Sequence, residues 1–179
     1  MPGIGNELSS RLAQVGNVGV WVTNIRMQAE GTVGTQWDGR DVVKFTPNGA
    51  DMLSARKALV LLGHMFLDSG AREVWPGVAG LPAIMTTHDE VERIADATMD
   101  PRGYSFIATH LFGAARLGPD PRTSVVSPEF EAHEARGLYV VDSSVFPTNL
   151  GVNPQHTIMA LARMAATRVA ERAARSAAA

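Results

Sequence analysis

Apolar and small or polar residues alternate near the start of the chain: Val18, Val20 and Val22 are spaced by Gly19 and Trp21. Val33 and Trp37 follow Gly31, and Val42, Val43 and Phe45 surround Lys44. A period of two marks a strand, because successive side chains point to opposite faces of a sheet. The stretch 17–46 therefore predicts two or three antiparallel strands. Their turns fall at Glu30-Gly31 and Asp38-Gly39, where glycine accepts the positive φ of a tight hairpin.

From Asn48 the period lengthens to three and four residues, through Met52, Leu53, Ala55, Leu59, Leu62, Met65 and Phe66, up to the stop Asp68-Ser69-Gly70. That spacing predicts an amphipathic helix. A shorter helix is expected over Thr87 to Met99, with Thr87 as N-cap, Glu90 as its capping-box partner and Asp100-Pro101 as its end. Residues 104–112 read as extended and 113–127 as a loop rich in Gly, Pro, Asp and Ser. A short buried strand is expected over Gly137 to Asp142, then a turn-rich stretch from Pro147 to Pro154, then a long helix from about Gln155. In that helix Ile158, Leu161, Ala162, Ala165 and Val169 form an apolar face, while Arg163, Arg168, Glu171, Arg172 and Arg175 lie mostly elsewhere. The tail 176–179 is expected to fray.

Composition bounds the function. With 179 residues and 45% hydrophobic content, the chain is long enough and apolar enough to bury a core as one domain, 1–179. A net charge of -2 leaves no basic surplus for a nucleic-acid backbone or an anionic membrane. The chain has no cysteine, which removes disulfides, zinc-thiolate sites and thiol nucleophiles and fits a cytoplasmic protein. Met1 to Glu7 carries neither the basic nor the apolar part of a secretory signal. The longest apolar run, Ala58 to Leu67, is interrupted by Gly63 and His64 and reaches about half the ~20 residues of a spanning helix, so no transmembrane segment is expected.

Histidine is the residue that both takes and returns a proton near neutrality, and there are five. His64 falls within the first long helix as a structural residue, and His88 and His133 lie in polar surroundings that suggest the surface. His110 ends the extended segment Phe106 to Thr109 and opens a glycine-bearing loop, a place where reactive groups are often held. Catalysis and ordinary structure both fit it at this level. No HExxH or close His/Asp pair points to a metal. A second cluster, from Val141 to Ala162, places strand, loop and helix start in succession. Asp142 at its strand end can accept from a ligand hydroxyl or a backbone N–H. The first turn of the final helix, entered through Pro154, offers N–H groups to an electron-rich ligand edge. Capping and turning the chain would equally account for Asp142, Asn153 and Thr157.

His110 to Gly118, then Asp120-Pro121-Arg122-Thr123-Ser124-Val125-Val126, then Gly137 to Ala162, taken in that order, resemble the C-terminal region of glucose-methanol-choline (GMC) oxidoreductases. The resemblance runs over roughly residues 104–173, and residues 17–100 are loosely similar to that family's substrate domain. It implies an α+β fold, a mainly antiparallel sheet backed by helices, with a C-terminal strand and a long helix that would pack on an FAD domain. It also implies an FAD-dependent enzyme that oxidises an alcohol or sterol CH–OH group to a carbonyl by hydride transfer to the flavin. By matching position, His110 corresponds to the active-site histidine that handles the substrate hydroxyl proton. Asn153 corresponds to the second active-site position, where some members have asparagine and many histidine. Asn cannot be a general base, so it would orient substrate by hydrogen bonding. Asp142 and Ser143 match cofactor contacts, and Asn153, Pro154 and Gln155 match the backbone that lies against the flavin ring.

Leu111, Ala114 and Ala115 depart from the family's usual Pro, Thr and Cys, which changes packing rather than chemistry. The G-x-G-x-x-G of a nucleotide-binding βαβ unit is absent, so a separate FAD-binding domain or subunit is the implied partner. The alternative reading is a non-catalytic remnant or binding module that keeps the fold without flavin.

Overall fold

The computed structural model describes residues 1–178; the end of the expected frayed tail, Ala179, lies outside the described residues. The helices are α1 (Asn6–Leu12), α2 (Gly49–Asp68), α3 (His88–Glu92) and α4 (Gln155–Ala177). The strands β1 (Thr32–Thr35) and β2 (Asp41–Lys44) pair antiparallel, with Val33 opposite Val43. The protein is thus α+β. It divides into two compact units, one of Met1–Glu30 and Phe45–Ile107, the other of Gly31–Lys44 and Ala108–Ala179.

In the first unit α2 begins where a capping box closes it: the Asn48 side chain accepts from the Asp51 N–H, and Asp51 accepts from the Asn48 N–H. Two orphan amides of the helix start are satisfied this way. Asp51 is 1% exposed and also accepts from the backbone N–H groups of Gln28 (2.6 Å) and Ala29 (3.1 Å), which ties the preceding segment to the helix. The segment Val18 to Val22, expected as a strand, forms no ladder, and Val20 is 81% exposed. Alternation selects a face, but a strand also needs a neighbour to exchange backbone hydrogen bonds. Here Trp21 stacks on Phe66 of α2 instead, ring centroids 4.3 Å apart.

α3 starts with the expected Thr87–Glu90 capping box. It is shorter than its periodicity implies, giving way at Arg93–Asp96 to a 3-10 turn. Val91 and Ile94 reach the core of this unit from those two turns, with Val74 and Met85, and Leu59, Val60, Phe66, Leu67 and Leu81 pack around them. His64 on α2 is half-buried; its Nε2 lies 2.7 Å from Glu92 Oε1 and its Nδ1 2.6 Å from Nδ1 of His88. Both histidines therefore join α2 to α3.

In the second unit the hairpin turns at Asp38-Gly39, where Gly39 has φ +83°, and Trp37 beside it is 97% exposed. Val126, Phe130, Val145, Phe146 and Ala165 are buried. α4 is held to the loop before it by Arg168, which donates to the Pro128 carbonyl, and by Arg172, which pairs with Glu131. The expected strand over Gly137 to Asp142 is reduced to a bridge between Tyr139 and Glu131. Phe130, next to Glu131, sits in the left-handed region at φ +68°, and such a residue cannot continue a pleated ladder.

Candidate active site

All the residues singled out for chemistry lie in the second unit, on two segments of the chain. The first is the loop from His110 to Gly118. The second is the 3-10 turn Ser143–Val145 with the stretch that leads from it to α4.

The two segments are laced together. The Ser143 hydroxyl donates to the Leu111 carbonyl at 2.7 Å, Ala115 N–H to the Ser144 carbonyl at 3.1 Å, and Leu117 N–H to the Val145 carbonyl at 3.0 Å. Phe112 meets Phe146 edge to face at 5.7 Å between centroids, an arrangement favoured by the ring quadrupoles. Gly113 has φ +79°, which side-chain-bearing residues rarely adopt, so the loop depends on glycine there.

Asp142 is exposed and caps the 3-10 turn: its Oδ1 accepts from the Ser144 N–H at 2.9 Å and from the Ser144 hydroxyl. Asp142 and Ser143, which the family resemblance implies as cofactor contacts, are thus also engaged within the chain. His110 is exposed, and its ring makes no hydrogen bond to another described residue. Asn153 is exposed, just ahead of α4.

The start of α4 has an unusual donor set. Its N-cap, Pro154, is buried and offers no side-chain cap, and the first amide to be satisfied within the helix is that of Ile158, by the Pro154 carbonyl at 2.9 Å. The amides of Gln155, His156 and Thr157 belong to exposed residues and point from the positive end of a 23-residue helix. That end suits an electron-rich ligand edge.

His133, expected at the surface, is half-buried. Its Nε2 lies 3.1 Å from the Gly118 carbonyl and 3.0 Å from the Ser124 hydroxyl, so it braces the loop that follows the His110 segment. Asp120 in the same loop is bound through two oxygens by Arg122, and that guanidinium holds its carboxyl below the usual carboxylate range. Among the described residues no group of three or more His, Asp or Glu is arranged to hold a metal ion. Sequence reading had not singled out Phe112, Phe146 and Gly113 as supports of the site. The positive-φ glycine was the available signal, since Gly113 follows an apolar pair in an otherwise extended run.

The sequence profile of the GMC oxidoreductase family matches residues 32–162. An uncharacterized GMC-type oxidoreductase of Sinorhizobium fredii is 33% identical over 121 residues, covering 68% of this chain and 24% of that protein. A long-chain-alcohol oxidase of Arabidopsis thaliana is 28% identical over 145 residues, covering 77% of this chain and 19% of the oxidase. In fold, the chain resembles the crystal structure of pyridoxine 4-oxidase from Mesorbium loti, with a TM-score of 0.50 at 24% identity over 80% of this chain and 28% of that one. The chain spans about a quarter of the length of these proteins. The matched region contains His110, Asp142, Ser143, Asn153, Pro154 and Gln155 together, and the chain belongs to the GMC oxidoreductase family, of which it is a C-terminal region.

Proposed function

We propose that this chain is the reaction-side portion of an FAD-dependent enzyme that oxidises an alcohol or sterol CH–OH group to a carbonyl. The carrying observation is that the His110 loop and the turn after Asp142 are one hydrogen-bonded assembly inside the family-matched region. When bound, the flavin supplies the acceptor for the hydride that leaves the substrate carbon.

The chain's own residues account for the rest. His110, with an imidazole committed to no other side chain, takes the hydroxyl proton as the carbonyl forms. Asn153 has donors and an acceptor but no titration near neutrality, so it orients the substrate oxygen. The first-turn amides at the start of α4 fit an electron-rich edge of the flavin ring, and Asp142 keeps a second carboxylate oxygen outside its capping bonds for a ribityl hydroxyl. No glycine-rich nucleotide loop occurs in residues 1–179, so the dinucleotide part would be held by an FAD-binding domain or subunit outside them. A long-chain alcohol, as in the Arabidopsis relative's name, is the substrate class to try first.

The test is to combine the purified chain with a candidate FAD-binding half and follow flavin absorbance before and after adding a long-chain alcohol. The expected result is a bound flavin that bleaches on alcohol addition under anaerobic conditions. A combination that never retains flavin removes the oxidoreductase reading and leaves a binding module.

A further inference from the structure

We propose that the Ser143 side chain is a positioning group for His110, an inference that rests on the proton-accepting role given to His110 above. A serine hydroxyl has one proton to donate, and that of Ser143 goes to the Leu111 carbonyl at 2.7 Å. Its hydroxyl proton is therefore already committed within the chain.

Leu111 directly follows His110, so this bond fixes the peptide plane between Leu111 and Phe112, one residue beyond the imidazole. The other contacts to the loop fall further along it, at Phe112, Ala115 and Leu117. Because the His110 ring has no hydrogen-bond partner among the described residues, its aim depends on its backbone and therefore on the nearest restraint. The restraint is itself prepared. Asp142 caps the 3-10 turn in which Ser143 is the first residue, so Asp142 sets the turn, the turn sets Ser143, and Ser143 holds the extended segment that presents His110. A proton acceptor must lie within ~3 Å of the hydroxyl it serves, and a 1 Å displacement can cost about a hundredfold in rate.

The experiment has two arms. In the chain alone, Ser143→Ala is expected to raise amide hydrogen exchange of Ala115 and Leu117, whose N–H groups bond the loop to the Ser144 and Val145 carbonyls of the same turn, by about tenfold, while the rest of the second unit keeps its protection and Ser143→Thr restores the wild-type pattern. In the flavin-loaded assembly, Ser143→Ala is expected to keep its flavin, to slow alcohol-driven flavin reduction by roughly 10- to 100-fold with little change in KM, and to recover with Ser143→Thr. Unchanged exchange in the first arm overturns the proposal, as does a variant that loses flavin instead of rate or reduces at the wild-type rate. Failure of the wild-type chain to acquire any flavin is a different result, which overturns the proposed function and the catalytic consequence with it.

Discussion

Gly63 of α2 and Val91 of α3 approach so closely that a Cβ on the glycine would lie 2.6 Å from Val91 Cγ1. An alanine in a helix interior is ordinarily worth ~1 kcal/mol over glycine. Here the order is reversed, because Val91 is fully buried in the core and has no free space to yield. Gly63→Ala is expected to destabilise the first unit by about 1–3 kcal/mol in urea unfolding. The same substitution placed in a Val91→Ala background is expected to stabilise relative to Val91→Ala alone, since the space is then open. A loss of stability in both backgrounds would show that the close approach is not the cause.

Asp51 does the work of three caps at once. Its carboxylate accepts from the amides of Asn48, Gln28 and Ala29, and it is buried. Removing it leaves three donors without their acceptor, so Asp51→Ala is expected to cost about 2–3 kcal/mol, whereas an exposed cap is worth ~1 kcal/mol. Hydrogen exchange checks the mechanism. Protection should fall at Gln28 and Ala29 as well as at the start of α2, and loss confined to the helix would contradict the tie to the segment before it.

Sequence legibility followed the range of the interaction. The starts of α2, α3 and α4 were readable because their signals are local: the change of period at Asn48, Thr87 with Glu90 three residues on, and Pro154 directly before Gln155. The strand expected around Val20 was not, because a ladder depends on a partner that local alternation does not specify. The same holds for Tyr139, which bridges to Glu131, beside a residue in the left-handed region. In the site, His110, Asp142 and Asn153 could each be read as structural from their neighbours, and only their order along the chain carried the family resemblance. The bond from Ser143 to Leu111 spans 32 residues and leaves no periodic trace.

Acid should loosen α4 before it unfolds the chain. The Glu131 carboxyl is held below the usual range, first by the Gly137 N–H at 2.8 Å and then by the Arg172 guanidinium. A carboxyl depressed in the folded state contributes stability above its unfolded value, ~4.3, and that contribution is lost as pH falls through the lower folded value. The melting temperature of wild type should therefore drop more steeply below about pH 4.5 than that of Glu131→Gln, while at pH 7 the variant is the less stable. Parallel curves for the two proteins would mean that Glu131 does not anchor the helix.

His110 and Asn153 offer a sharper separation of proposed roles, because an imidazole can take a proton and a carboxamide can only hydrogen-bond. In the flavin-loaded assembly His110→Ala is expected to lower flavin reduction by roughly 10²- to 10⁴-fold, the range of a positioned acid or base, while bound flavin is retained. On the proposed role of Asn153 in orienting the substrate oxygen, Asn153→Ala is expected to lose ~10²-fold and to keep the wild-type dependence of rate on pH. Asn153→His supplies an imidazole at that position and should restore part of the rate lost in His110→Ala. The restoration works only if both side chains reach the same substrate oxygen, so a double variant no faster than His110→Ala would separate the two residues and confine the proton transfer to His110.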